Sequence, residues 1–317
     1  MKILLTDTAT LISDNDISLD ILKSYGTTVE YDNISYEQLL SEAADTDIIL
    51  CNKTVIDRRI IESAPKLRYI GTFATGYNNI DIAAAKEHGI TVCNAAEYST
   101  NAVAQQVMGY ILIHYTQIPQ YDSFVKEGGW KRSAIFSHIA FGADEVYDKV
   151  LGIVGYGSIG KAVAKAALGL GMRVKVYTRT PKNDGSVEFV SLDELLSTSD
   201  IITMHCPLNS QSEKMMNRDA FNKMKKGAFF INTARGGVID ENDLLEALKS
   251  GQLSGAAVDV LCKEPMSENC VLWNAPNIII TPHSAWSPLT TRKRLVSLVA
   301  ENLNAFLEGN PKSVVSD

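Results

Sequence analysis

The sequence predicts an α/β protein made of two doubly wound, parallel-sheet domains. Strand-like and helix-like segments alternate through both halves of the chain, which is the pattern of βαβ units. Near the middle, a glycine turn of the form G-x-G-x-x-G joins a short apolar strand to an amphipathic helix. The length, 317 residues, suits two domains with sizeable cores.

In residues 1–98, strands are expected over 2–6, 29–31, 47–50, 68–71 and 91–94, with helices over 18–24, 36–43, 58–64 and 81–88. This half has its own glycine turn, ATGYNN at 74–79, before a helix that opens at Asp81. Exposed N–H groups there suit a small anion, although a plain turn reads the same way. Residues 100–118 carry Val103, Val107 and Ile111 at helical spacing and read as a connector that ends at Pro119. Residues 120–148 lack a clean period but hold Phe124, Trp130, Phe136 and Phe141. Such an aromatic insert predicts a subunit interface or an intrachain flap. His138 within it is read as structural.

The central stretch, Lys149 to Arg179, reads KVLGIVGYGSIGKAVAKAALGLGMRVKVYTR. Val150 to Val154 is apolar and suits a buried parallel strand. Ser158 to Leu170 is rich in helix formers and apolar on one face, and Gly171 stands where a helix-ending glycine belongs. Arg173 to Tyr177 reads as the next strand. In this context the glycines predict a dinucleotide site rather than an empty turn. Gly155 permits the tight turn, Gly157 lets the backbone approach a pyrophosphate, and Gly160 lets the helix pack close. The pyrophosphate would rest on unpaired N–H groups at the positive end of the helix dipole.

Further strands are expected over 200–204, 228–231, 255–260 and 277–281, and helices over 192–196, 219–224 and 241–249, which makes a six-stranded sheet from 149 to 281. Ligands of open α/β sheets sit at the carboxyl ends of the strands. Arg235, Asp259 and His283 follow such ends and are expected on one side. A last helix over 295–307 is placed to cross back to the first half. The domains are therefore read as 1–98 with 287–317, and 99–286.

Composition excludes several classes. The net charge of −7, with acids and bases interspersed, gives no footprint for nucleic acid or anionic membrane. No stretch approaches a membrane span, and the apolar run after Met1 is too short for a signal peptide. The five cysteines are scattered without a C-x-x-C pair, so a reducing cytoplasm is expected. The five histidines lack metal-ligand spacing, and no metal is expected.

Six ordered motifs carry a resemblance: ATGYNNID (74–81), GIVGYGSIG (152–160), HCPL (205–208), INTARGGVID (231–240), AVDVLCKEP (257–265) and TPHSAW (281–286). With them the chain resembles the D-isomer-specific 2-hydroxyacid dehydrogenases. ATGYN and Trp286 look like the hydroxypyruvate and glyoxylate reductase branch, also called glycerate dehydrogenases. Ser284 replaces a usually apolar residue, and 146–149 departs from the usual Leu-x-Gly-Lys turn. The resemblance implies a Rossmann nucleotide-binding domain inserted into a flavodoxin-like substrate domain, and a homodimer is expected through the aromatic insert at 120–148. It implies a catalytic trio of Arg235, Glu264 and His283. In that scheme His283 donates the proton to a 2-keto acid, since an imidazole holds and releases a proton near neutrality. Glu264 would orient the ring and raise its proton affinity. Arg235 would hold the substrate carboxylate, shared with the N–H groups of Thr75 and Gly76; Lys53 is a further candidate substrate contact. Thr75 and Gly76 then belong to a different domain from Arg235 and His283, so domain closure is expected in catalysis. The cofactor would be lined by Gly155, Gly157, Ser158, Ile159, Gly160, His205, Cys206, Pro207, Thr233, Ala234, Asp259, His283 and Ala285, with Asp259 anchoring the nicotinamide. A D-lactate-type or other 2-keto acid reductase, or a dinucleotide-sensing corepressor, would keep the same motifs.

The cofactor expected is NADP(H) in preference to NAD(H). An NAD site places an acid at the end of the second strand, about 20 residues into the motif, on the ribose hydroxyls. Here Thr178, Arg179 and Thr180 follow the strand, Lys182 adds charge, and no acid comes before Asp184. Arg179 offers a fork for a 2′-phosphate.

Overall fold

The computed structural model describes residues 1–180 and 184–316. The chain divides into two compact units, Met1–Ser99 with Trp286–Asp317, and Thr100–Ala285.

The first unit opens with β1 (Lys2–Leu5), α1 (Asp20–Lys23), β2 (Thr27–Glu30), α2 (Tyr36–Ala43), β3 (Ile48–Cys51), α3 (Arg58–Glu62), β4 (Tyr69–Thr72), α4 (Ile82–Glu87) and β5 (Thr91–Cys93). Among the described residues the strands form one parallel sheet, in the order β2-β1-β3-β4-β5. This is the flavodoxin-like order. β3 (IILC) is buried along its whole length, as its unbroken apolar run requires, and β4 (YIGT) is buried as well, Thr72 included. The helices begin where short polar side chains accept orphan N–H groups: Ser35 with Gln38 in a capping box, Asp57 on Ile60 and Asp81 on Ala84. Buried Asp7, after β1, accepts the N–H groups of Asn52 at 2.9 Å, Lys53 at 2.5 Å and Thr54 at 2.9 Å. That carboxylate sets the shape of the Lys53 loop.

The second unit starts with α5 (Thr100–Thr116), an apolar helix that packs on the sheet core through Val107 and Ile111. It ends at Thr116, before the expected 118, and Pro119 lies inside the next helix, α6 (Ile118–Lys126), as an early helical residue. The expectation of an irregular stretch from 120 is corrected here. Gln117 turns left-handed, at φ +54°, and resets the chain direction. Proline suits the first turn of the new helix, because the N–H it lacks has no helical partner there. His138 stacks on Phe124 at 4.0 Å, a packing role.

Then come β6 (Val150–Val154), α7 (Ser158–Gly169), β7 (Arg173–Tyr177), β8 (Glu188–Phe189), α8 (Leu192–Thr198), β9 (Ile201–Met204), α9 (Arg218–Lys223), β10 (Ala228–Asn232), α10 (Glu241–Lys249), β11 (Leu253–Val258) and β12 (Ile278–Ile280). Among the described residues the sheet is parallel and has seven strands, not six, in the order β12-β11-β10-β9-β6-β7-β8. The additional strand is the two-residue edge strand β8, too short to show any period. The order reverses between β6 and β9, which is the topological switch point where doubly wound sheets bind ligands. The final helix, α11 (Leu289–Leu307), starts six residues before the expected 295 and packs Leu295, Val299 and Leu303 into the core of the first unit. Arg292 on it forks onto Asp16 at 3.0 and 2.6 Å.

Candidate active site

The glycine turn after β6 does three different things. Gly155 sits at φ +99°, and a Cβ there would fall 2.6 Å from the His205 carbonyl oxygen. Gly160 packs α7 onto the turn, since its Cβ would lie 2.2 Å from the Gly155 carbonyl oxygen. Gly157 faces open space, and α7 begins after it without a side-chain cap. Ser158 and Ile159 are the first residues of that helix. The opening belongs to a cleft of about 510 Å³ lined by the glycine turn, Thr178, Arg179, Thr180, His205, Cys206, Pro207 and Gln211.

The cleft wall is tied together by its own polar groups. The Arg179 guanidinium donates to Gln211 Oε1 at 3.1 Å. Tyr156, inside the glycine turn, donates to Asp184 Oδ2 at 2.7 Å. Hydrogen bonds from Ser186 and Tyr156 hold the Asp184 carboxyl below the usual carboxylate range. Lys182 lies outside the described residues. His205 Nε2 pairs with Thr203 Oγ1 at 3.0 Å, and burial pushes the ring down to about 3, so it stays neutral. Burial also raises the Cys206 thiol, which approaches Met215 Sδ at 3.8 Å. The Pro207 carbonyl accepts Ser212 Oγ at 2.6 Å.

Past the carboxyl end of β10, Asn232 knits the next turn. Its Oδ1 accepts the Ala234 N–H at 3.0 Å and its Nδ2 donates to the Arg235 carbonyl at 3.0 Å. Thr233 Oγ1 is buried with no partner among the described residues. Arg235 uses one guanidinium nitrogen on the Ala234 carbonyl at 2.7 Å. Gly236 follows, and a Cβ on it would lie 1.9 Å from the Leu261 carbonyl carbon. The 261–264 loop therefore lies directly on the Arg235 turn.

That loop carries Glu264. Its Oε1 accepts the Leu261 N–H at 2.9 Å, and its Oε2 meets His283 Nδ1 at 2.7 Å. Buried Asp259 shapes the histidine loop: Oδ1 accepts the Ser284 N–H at 2.9 Å and the Thr281 hydroxyl, Oδ2 accepts the Ala285 N–H at 3.0 Å, and its carbonyl accepts the His283 N–H at 2.8 Å. Tyr110 on α5 pairs with the same Thr281 hydroxyl at 2.5 Å. His283 is left-handed, at φ +52°. With Nδ1 engaged by a carboxylate, a neutral ring keeps its proton there and offers a lone pair at Nε2; a protonated ring donates from Nε2. The His283 side chain is 28% exposed, so the ring can exchange protons with solvent.

In the first unit, the turn at 74–79 is fixed by Thr75 Oγ1 on the Ala95 carbonyl at 3.0 Å and by Asn94 Nδ2 on the Thr75 carbonyl at 2.8 Å. The Thr75 and Gly76 N–H groups have no protein acceptor among the described residues.

A family model described as "D-isomer specific 2-hydroxyacid dehydrogenase, NAD binding domain" matches residues 108–285. The chain belongs to this family. As a D-2-hydroxyacid dehydrogenase it is an oxidoreductase that acts on CH–OH donors with NAD(P). It is 38% identical to a hydroxypyruvate reductase of Blautia hydrogenotrophica, over 100% of both chains. It is 37% identical to a glycerate dehydrogenase of Methylorubrum extorquens, over 88% of each. A solved acyclic imino acid reductase, in complex with NADPH and D-Arg, matches with a TM-score of 0.88 at 30% identity, covering 99% of this dehydrogenase and 100% of that chain. Among the described residues no helix is long and apolar enough to cross a membrane.

Sequence reasoning missed Gln211, Tyr110 and the loop-shaping bonds of Asp259. Each acts through a contact more than twenty residues away, which no local pattern signals.

Proposed function

We propose that the protein reduces a small 2-keto acid of the hydroxypyruvate or glyoxylate type to its D-2-hydroxy acid, with His283 as proton donor and NADPH preferred over NADH. The observation that carries the reading is the Glu264–His283 pair at 2.7 Å, which leaves Nε2 as the one ring nitrogen able to serve a substrate oxygen. Glu264 holds Nδ1, so the proton passed to the substrate leaves from Nε2, and the ring regains it from solvent afterwards. Arg235 holds the substrate carboxylate and polarises the carbonyl, a task for its forked donors. The Thr75 and Gly76 N–H groups suit a carboxylate as well, with Lys53 on a neighbouring loop of the same unit.

The residues present fit a dinucleotide. Gly157 leaves room over the start of α7, and Thr233 keeps a buried hydroxyl without a partner among the described residues. We assign the pyrophosphate to the N–H groups of Gly157, Ser158 and Ile159, and the nicotinamide end to Thr233, Ala234, Asp259 and Ala285. Asp259 Oδ2 accepts one N–H, so a lone pair remains for an amide. The bound cofactor supplies the hydride. Thr178, Arg179 and Thr180 take the 2′-phosphate, and Gln211 supports this by fixing Arg179 on the cleft wall. The acid nearest to them, Asp184, is spent on Tyr156 and Ser186.

We also infer a homodimer through 120–148, supported by Phe136 and Ile139 at 90% exposure each, and a reducing, cytoplasmic setting, supported by five cysteines without a disulfide. The test is kcat/KM for a panel of 2-keto acids with both cofactors, in wild type and in Thr178→Asp with Arg179→Ala. Hydroxypyruvate and glyoxylate should lead, with NADPH, and the double variant should favour NADH. No turnover of any 2-keto acid would defeat the reaction; an unchanged cofactor ratio in the double variant would defeat the NADPH assignment.

A further inference from the structure

We propose that Glu241 is a positioning residue for the proton-donating pair: it holds the 261–264 loop so that Glu264 stays on His283. The inference rests on the proton-donor reading of His283. Glu241 opens α10, and a carboxylate in a first helical turn is ordinarily explained by the helix dipole. Here it has a second engagement. Its Oε1 accepts the backbone N–H of Cys262 at 2.7 Å. Cys262 stands two residues before Glu264, on a loop whose Cys262, Lys263 and Glu264 are all exposed.

The loop is held by few contacts, and their sources differ. Glu264 itself accepts the Leu261 N–H and meets His283. Gly236 gives contact without a bond, by letting Leu261 lie on the Arg235 turn. Cys262 Sγ also reaches the Ile239 carbonyl at 3.9 Å, a long thiol contact, so the Glu241 bond is the short tie on the loop backbone from a side chain with no part in the reaction. Without it the Cys262 N–H turns to water and the exposed loop relaxes. Glu264 then samples rotamers that leave Nδ1. The cost falls on the chemistry in both directions. The imidazolium loses its carboxylate during reduction, and the neutral ring is free to carry its proton on Nε2, where oxidation needs a lone pair. Glu241 itself makes none of the contacts assigned to substrate or cofactor.

Two conservative variants separate reach from charge. Glu241→Asp keeps the helix-favouring charge but is one methylene too short for the Cys262 N–H. Glu241→Gln keeps an oxygen at that reach and loses the charge. The measurements are kcat and KM, and the His283 tautomer from spectra of the protein labelled with 15N-histidine, assigned with His283→Asn. In Glu241→Asp we expect kcat to fall about 10-fold with both KM values within about 2-fold, the scale of a small misplacement at a reacting group. The ring should change from the Nδ1–H form to a mixture of tautomers. Glu241→Gln should restore both, and Glu241→Asp should add little to Glu264→Ala. A wild-type tautomer in Glu241→Asp, or a full additional loss on top of Glu264→Ala, would overturn the proposal. Undiminished kcat in His283→Asn would instead remove the proton-donor reading, and the tautomer result would still decide the positioning.

Discussion

At the scale of single residues, His283 combines a chemical and a conformational demand. Its ring meets a carboxylate at Nδ1, and its backbone is left-handed, a region that histidine and asparagine enter more readily than most side chains. Asparagine is therefore the substitution that removes the proposed proton donor with least damage to the loop. In His283→Asn we expect kcat to drop by about 10²–10⁴-fold, the usual worth of general acid catalysis. NADPH affinity and melting temperature should stay near wild type, as checked by fluorescence titration and thermal melts. A β-branched residue at 283 would fail for the backbone alone. Arg235, Glu264 and His283 stood out in the sequence because TARGG, KEP and TPH are ordered motifs, and the Glu264–His283 contact follows from their fold. Glu241 did not: next to Asp240 it reads as an ordinary first-turn acid, and only the fold brings Cys262 to it.

At the scale of elements, α7 depends on one close approach. A methyl group at Gly160 would collide with the Gly155 carbonyl, which is backbone and cannot rotate away. Gly160→Ala should push α7 outward and distort the turn that offers N–H groups to a pyrophosphate. Overpacking of this kind costs about 1–3 kcal/mol, and each kcal/mol lowers the midpoint by about 2–4 °C in a domain of this size. Calorimetry should show that loss, and titration should show weaker binding of both cofactors with their ratio unchanged. Most elements were readable from the chain because buried parallel strands are short apolar runs and the helices carry polar caps. Ile48–Cys51 and the Ser35–Gln38 box are examples. Two were not. Glu188–Phe189 has two residues and no period to detect. Ile118–Lys126 was hidden by Pro119, because a proline that reads as a helix end suits a first helical turn equally well by the same lack of an N–H.

At the scale of the molecule, acid should destabilise the nucleotide-binding unit early. Burial pushes His114 down to about 4 and His205 to about 3. The unfolded chain protonates both near pH 6.5. Their contribution is therefore complete above about pH 6.5 and is lost as the pH falls toward their folded values, about 1–2 kcal/mol each by pH 5. Asp16, held down at about 2 by Arg292, acts in the same direction only below about pH 4. Between pH 6.5 and 5 the histidines decide. Thermal melts from pH 7.5 to 5 should show the fall, and His114→Gln should remove up to half of it. The proposed homodimer through the exposed aromatic segment gives a separate measurement: Phe136→Asp should shift the sedimentation coefficient from dimer to monomer.

The division of the chain has a last consequence, for its synthesis. Residues 100–285 are continuous and can fold as soon as they leave the ribosome. The unit that begins the chain lacks Leu295, Val299 and Leu303 until the final helix emerges, and these side chains sit in its core. The usual vectorial order is inverted. The amino-terminal sheet waits, with one face uncovered, while the unit translated after it is already complete.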